Sequence, residues 1–209
     1  MKRFFLGIAF RYWCLWSRIY RSLQIFFCHD YESKKERVES EIKTAQIRAF
    51  YDSWRGNQNS PAFSVDELKE FWKHLNKKFN LTWRADTWYM LWDVISDPVL
   101  TFTSGCGDCD DFASSARYAV GKFVKIGDRR DYKVFEFDGI WSIIFSYKTG
   151  GHALAVWRYK DNYLVISNHD VFCFESLDDF LSCFRGIFGD FNYIGKISDD
   201  LKFLGVEKV

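Results

Sequence analysis

The sequence predicts an α+β protein in which helices come first and an antiparallel sheet follows. Apolar residues in the first half recur at helical spacing, whereas short runs rich in β-branched and aromatic residues follow one another from about residue 132. We expect three parts: a basic, aromatic amphipathic helix over residues 1–30, a charged helix and linker over 31–60, and one main domain over 61–209. The break between the last two lies at the hexapeptide 56–61, GNQNSP.

The first 30 residues mix five basic side chains with many aromatic and aliphatic ones. A membrane-spanning helix needs roughly 18 apolar residues in a row, and Arg11 and Arg18 interrupt every such run. No small-residue cleavage pattern follows, so we expect no secretory signal. The segment is typical of an amphipathic helix that docks onto a protein partner or assembly, lies on a membrane surface, or packs on its own domain. Protein docking is the interpretation we favour.

Three further helices are predicted between residues 31 and 96. The alternating charges of residues 31–55 indicate a solvated helix. Ser64 and Glu67 have the spacing of a capping box, which opens a helix that continues to about residue 79. Another helix is expected over about 86–96, ended by the Asp97-Pro98 pair.

The second half predicts strands joined by short turns. Lys122 to Arg130 forms a polar connection, and the Asp138-Gly139 pair is a hairpin signal. A short helix over 180–184 is capped at Ser176, and a last strand covers 191–197. The remaining expected strands are 132–137, 141–147, 152–159, 163–167 and 171–174.

Composition limits the function classes. The chain has 209 residues, and its 29 Lys and Arg nearly balance its 28 Asp and Glu, for a net charge of +1. Such balance argues against nucleic acid as the partner of the whole chain. The six cysteines lack a secretory context, so we expect reduced thiols in the cytoplasm. We expect no cofactor.

Residues 104–113, SGCGDCDDFA, are the stretch with the clearest chemical meaning. A glycine-rich turn runs into a segment of helical spacing, which places Cys109 at or just before a helix N-terminus. The N–H groups and positive dipole of a helix start stabilise a thiolate and an oxyanion on a bound carbonyl. Cys109 is therefore a candidate nucleophile.

A candidate base lies far downstream. His152 opens an alternating strand after Gly150-Gly151, and the next strand ends at Asn168. A hairpin would bring His152 and Asn168 to the same end, where the amide can orient the imidazole. Ser167 and Asp170 compete for this third position.

The run GDCDDFA at 107–113 and the later GHA at 151–153 resemble the transglutaminase-like cysteine peptidases of the papain-like group. The resemblance covers roughly residues 85–170. It implies a papain-like fold, with the cysteine on a helix N-terminus and the histidine on an antiparallel sheet. It also implies acyl transfer, as hydrolysis of a peptide or amide substrate, by a triad of Cys109, His152 and Asn168. Because the family usually has an Asp as its third member, Asp170 is the alternative.

Other functions stay open. An inactive papain-like scaffold would serve as a structural or assembly protein anchored by its N-terminal helix, in the cytoplasm or, if the chain is phage-encoded, in a virion. A cell-wall amide hydrolase of the NlpC type shares the chemistry with a different substrate. Cysteine and histidine spacing also suits a zinc site, whose ligands would be Cys106, Cys109, His169 and Cys173.

Overall fold

The computed structural model of the chain describes residues 2–49, 62–85, 94–121, 125–128, 133–146, 150–198 and 200–209. These residues form an α+β fold with a mostly antiparallel sheet. The helices are α1 (Lys2–Phe27), α2 (Tyr31–Ala49), α3 (Val65–Lys78), α4 (Pro98–Ser104), α5 (Cys109–Gly121) and α6 (Leu177–Phe188). The strands are β1 (Ala62–Phe63), β2 (Thr82–Trp83), β3 (Cys106–Gly107), β4 (Lys125–Asp128), β5 (Lys133–Ser146), β6 (Gly150–Tyr159), β7 (Asn162–Ser167), β8 (Asp170–Phe174), β9 (Tyr193–Ile197) and β10 (Phe203–Lys208).

The main sheet has eight strands, with β1, β4, β5, β6, β7 and β8 as consecutive neighbours. Strand β9 also pairs with β5, and β10 pairs with β9. All these pairings are antiparallel except that of β1 with β4. The short strands β2 and β3 form a separate parallel pair just before Cys109.

Each face of the main sheet is covered by helix. Ala153 and Ala155 of β6 belong to a core cluster that also contains the buried face of α5, and their small side chains allow the helix to approach closely. The next residues along the strand, Leu154 and Val156, belong to a second cluster that contains the buried face of α6. The alternation of a strand therefore sends successive β6 side chains to two different cores.

Two local predictions are confirmed. Ser64 is the N-cap of α3, and its side chain and that of Glu67 form a complete capping box. Cys109 is the first residue of α5. Strands β6, β7 and β8 also lie where alternation predicts them, joined by tight turns.

The Asp97-Pro98 pair begins a helix instead of ending one. Asp97 is the N-cap of α4, and its carboxylate accepts hydrogen bonds from the N–H groups of Val99 and Leu100. Pro98 occupies the first turn, where a missing N–H costs nothing. Residues 94–97 are not helical, and the rest of the helix expected over 86–96 lies outside the described residues.

The Asp138-Gly139 pair does not form a hairpin turn. Strand β5 runs through it without a break, and the register shifts between Phe137 and Gly139, as at a β-bulge. Gly139 is required there, since its φ is +143° and a Cβ would lie 2.8 Å from the carbonyl oxygen of Ile197. The expected connection over 122–130 instead contains strand β4, and β10 was not predicted.

Helices α1 and α2 contribute to the same core as the main domain. Phe10 and Cys14 of α1 and Val38 and Ile42 of α2 are buried in the cluster that contains α5. The break expected at 56–61 lies outside the described residues. None of the helices in the described part of the chain combines the length and the apolar character of a bilayer-crossing segment.

Candidate functional site

The turn before Cys109 depends on two glycines. Gly105 ends α4 in the left-handed conformation, with φ +72°, and its N–H donates to Thr101. Gly107 needs its missing side chain for space, since a Cβ there would lie 2.6 Å from the Cβ of Asp111. The close approach of this turn to the first turn of α5 fixes where Cys109 stands.

Asp108 caps the start of α5. Its carboxylate accepts a hydrogen bond from the N–H of Asp110 at 3.2 Å, and its carbonyl accepts one from Phe112 at 3.0 Å. Cys109 is half-buried against the core that contains α5. The helix start is therefore capped by Asp108, and it carries Cys109 at a partly accessible position.

A half-buried arginine from α1 lies against the same helix. Arg21 donates to the carbonyl of Ile95 at 3.2 Å and to the hydroxyl of Ser114 on α5. Burial lowers the pKa of Arg21 to about 10, while the charges of Asp97 and Asp111 act in the opposite direction. Asp111 in turn accepts a hydrogen bond from the N–H of Ser96 at 2.7 Å. The first turn of α5 is thus connected to α1 and to the segment before α4.

His152 is buried on the sheet. Its Nε2 lies 2.8 Å from the hydroxyl oxygen of Ser167, and its ring centroid lies 4.6 Å from that of Phe188 at the end of α6. Burial lowers the pKa of His152 to about 4, and the negative charge of Asp108 opposes that shift. The imidazole is neutral at pH 7 and pairs with a hydroxyl on the next strand.

The hydrogen-bond partner of His152 is Ser167 and not the predicted Asn168. Ser167 continues the alternation of β7 on the side of the sheet that His152 faces. Asn168 lies in the following turn with φ +49°, and its carbonyl accepts the indole N–H of Trp72 at 2.8 Å. Its side-chain oxygen is buried without a hydrogen-bond partner within the described structure. Asp170, the alternative, is exposed and pairs with Ser167 only through the backbone register of β7 and β8.

The helix that carries Cys109 and the side chain of His152 lie on opposite sides of the sheet. His152 pairs with Ile143 in register and lies on the side of Leu154, which α6 covers, whereas α5 packs on the other side. Asp108, the residue before Cys109, is near enough to His152 for its negative charge to act on the imidazole. The start of α5 and the start of β6 are therefore linked by the charge of Asp108.

The predicted zinc ligands do not form a compact set. A metal site needs several donor atoms close together. Across the described ranges, one group of three such atoms lies within 4.8 Å of one another, and it belongs to Asp108, Cys109 and Asp110. These residues are consecutive, and one Asp108 oxygen already caps the helix. His169 instead packs edge-on against Phe112, with ring centroids 4.8 Å apart.

Sequence reasoning underrated Ser167 and missed the effect of Asp108 on the imidazole. Alternation along β7 is the signal that selects Ser167, since it faces the same way as Val165.

Comparison of the chain with protein-family models, with curated proteins and with solved structures finds no match. The function is therefore inferred from the geometry of the site itself.

Proposed function

We propose that the protein is a thiol-dependent acyl hydrolase of the transglutaminase-like, papain-like type, with Cys109 as nucleophile and His152 as base. The observation that carries the proposal is the hydrogen bond between His152 Nε2 and Ser167 Oγ, 2.8 Å long. It is supported by the position of Cys109 at a helix start and by the action of the Asp108 charge on the imidazole. One imidazole nitrogen is used for orientation, which assigns the other, Nδ1, to proton transfer.

In the proposed reaction the Cys109 sulfur attacks the carbonyl carbon of an amide. His152 accepts the thiol proton and then donates it to the leaving nitrogen as the C–N bond breaks, which leaves a thioester on Cys109. Water attacks the thioester, His152 takes a proton from that water, and the departing thiolate recovers a proton. The products are a carboxylic acid and an amine, and the free thiol is restored.

The charge distribution favours general-base catalysis over a preformed ion pair. Because burial lowers the pKa of His152 to about 4, the imidazole is neutral before attack. Ser167 supplies orientation without a negative charge, unlike a carboxylate in the same place. The proposed resting state is a neutral thiol beside a neutral imidazole, with proton transfer during attack.

The oxyanion of the tetrahedral intermediate would be stabilised at the start of α5. The first N–H groups of a helix have no partner within the helix, and the dipole places positive charge there. The backbone N–H of Cys109 is the natural contributor. A small cleft of about 260 Å³, lined by Arg84, Ser96, Cys106 and Asp111 among others, borders the turn that precedes Cys109.

A second candidate function is a scaffold that has lost its activity. The carboxylate oxygens of Asp108 and Asp110 lie within 4.8 Å of the Cys109 sulfur, and negative charges so close disfavour a thiolate. On this proposal the domain is a structural or assembly component, and Cys109 behaves as an ordinary thiol.

Alkylation by iodoacetamide, mapped by mass spectrometry, separates the two functions. Cys106 is the matched reference because it is also half-buried and lies three residues away. For the hydrolase we expect Cys109 to react at least about tenfold faster than Cys106 at pH 7, and His152→Gln to remove most of that advantage. We also expect hydrolysis of unfolded casein that Cys109→Ala abolishes and Cys106→Ala leaves unchanged. Equal alkylation of the two cysteines, unaffected by His152→Gln, would overturn the hydrolase and support the scaffold.

A further inference from the structure

Helix α1 exposes a continuous apolar surface, which we call the apolar face of α1. Its side chains are between 37% and 76% exposed, and it consists of Phe4, Phe5, Ile8, Tyr12, Leu15, Trp16, Ile19, Tyr20, Leu23, Phe26 and Phe27. At 100° per residue these residues fall within a sector of about 160°. Their combined exposed area is on the order of 1,000 Å², against roughly 300–600 Å² for the largest apolar patch of an ordinary monomer.

The opposite side of α1 is fixed to the domain. The Ser17 hydroxyl accepts the N–H of Ile95 at 3.1 Å, and the Gln24 side-chain oxygen accepts the N–H of Asp97 at 2.9 Å. Arg21 donates to Ile95 from between them. Rolling the helix to hide its apolar face would leave these buried polar groups without partners. The exposure of that face is therefore set by the fold.

The charges on the helix indicate what covers the face. Helix α1 has no Asp or Glu, and the exposed Arg11 and Arg18 stand along one border of the apolar face. A second copy related by a two-fold axis would bring the same arginine-bearing helix against this one, with no acidic side chain on either helix to offset the repulsion. A partner with an apolar interior and a negatively charged surface would match both the apolar face and the arginines along its border.

We propose that the apolar face of α1 binds the surface of an anionic lipid bilayer, with the helix lying in the interfacial plane. The helix has 26 residues and is about 39 Å long at 1.5 Å per residue, so it offers an extended, convex contact and not a pocket. Tyr12, Trp16 and Tyr20 have the amphipathic rings that prefer the headgroup level. Arg11 and Arg18 reach lipid phosphates beside the buried side chains. One side of the helix stays on the protein, so lipid covers only the other.

Sedimentation of the full chain with vesicles tests this proposal. We compare vesicles of phosphatidylcholine alone with vesicles containing 30% phosphatidylglycerol, at physiological salt. Ile19→Asp is the test variant, and Ile47→Asp on α2 is its matched control, because the two isoleucines are 39% and 37% exposed on helices. Far-UV circular dichroism and thermal unfolding verify that both variants fold.

The wild type and Ile47→Asp are expected to sediment with the anionic vesicles, and Ile19→Asp to bind at least about tenfold more weakly. Arg18→Gln is expected to bind the anionic vesicles about fivefold more weakly. Failure of the wild type to bind anionic vesicles would overturn the proposal, as would equal binding of the two Asp variants. A stable dimer in solution that Ile19→Asp dissociates and Ile47→Asp does not would assign the apolar face to a second copy instead. None of these outcomes depends on the reactivity of Cys109.

Discussion

His152 Nε2 and Ser167 Oγ lie 2.8 Å apart across neighbouring strands, and the His152 ring packs against that of Phe188. The hydroxyl orients the imidazole and brings no negative charge. Burial therefore controls the protonation of His152, and its pKa falls to about 4. The burial of His152 and the neutral hydroxyl of Ser167 together determine the strength of His152 as a base.

A carboxylate in place of Ser167 should strengthen that base. In Ser167→Asp the added negative charge favours the imidazolium, and an opposite charge at this distance raises a pKa by about 1 to 3 units. We expect the pKa of His152 to rise by that amount, measured by titrating the ring C–H signals by NMR with His152→Gln to assign the peak. The alkylation rate of Cys109 at pH 7 should rise about tenfold.

Ser167→Ala is the control for this change. It removes the orienting hydroxyl without adding charge, so we expect Cys109 alkylation to slow. An NMR titration in which Ser167→Asp leaves the pKa of His152 where it is in the wild type would show that the two side chains do not communicate.

The same buried imidazole predicts a loss of stability in mild acid. An unfolded histidine titrates near 6.5, whereas the pKa of His152 in the fold is about 4. Between these values the unfolded chain binds a proton that the folded chain does not, so stability is complete above pH 6.5 and falls as pH drops toward 4. The proton uptake by His152 lowers the free energy of unfolding by about 3 kcal/mol in total.

Urea unfolding at pH 7 and pH 4.5 measures the effect. We expect the difference in unfolding free energy between the two pH values to be about 2 to 3 kcal/mol smaller in His152→Gln than in the wild type. Other groups also titrate in this range, and the comparison with His152→Gln removes their contribution because they are the same in both proteins. Identical pH dependence in both proteins would mean that His152 is accessible to solvent in the fold.

Local chemistry explains which parts of the fold were predictable from the sequence. The capping box of Ser64 and Glu67 and the helix start at Cys109 involve contacts within a few residues, and both are present. The Asp138-Gly139 pair was misread because its glycine makes room for the carbonyl of Ile197, a contact between distant segments. Turn propensity alone cannot distinguish that use of glycine from a hairpin.

The candidate site shows the same division. Chemical preference for an amide selected Asn168, whereas strand alternation would have selected Ser167 as the residue on the side of His152. The packing of α1 on its own domain was underrated because its buried stripe contains Ser17, Arg21 and Gln24, which do not look like core residues. Their partners lie on a segment about 75 residues away, beyond the reach of periodicity.

Gly107 should be intolerant of any side chain. In Gly107→Ala the new Cβ would meet Asp111 at 2.6 Å, which requires Asp111 to move and weakens its 2.7 Å hydrogen bond from Ser96. We expect a loss of about 1 to 3 kcal/mol in urea unfolding. Gly186→Ala is the matched control, because that position in α6 has no atom within 4 Å of the added Cβ. Gly186→Ala should raise the free energy of unfolding by up to about 1 kcal/mol. Equal effects of the two substitutions would contradict the steric role of Gly107.

Arg21 should be the side chain through which α1 contributes most to the stability of the site. It donates to Ile95 and Ser114, and the charges of Asp97 and Asp111 favour its cationic form inside the protein. Arg21→Met removes a half-buried cation whose charge acts on the buried carboxylates of Asp97 and Asp111, so we expect the free energy of unfolding to fall by about 2 kcal/mol. Arg21→Lys keeps the charge but replaces the planar guanidinium, whose separate nitrogens reach Ile95 and Ser114, with a compact ammonium, so it should lose an intermediate amount. Arg18→Met changes an exposed arginine three residues earlier and should shift stability by less than about 0.5 kcal/mol. If Arg21→Met were as mild as Arg18→Met, the apolar contacts of α1 and the hydrogen bonds of Ser17 and Gln24 would be sufficient to hold the helix, and Arg21 would contribute little to its coupling with α5.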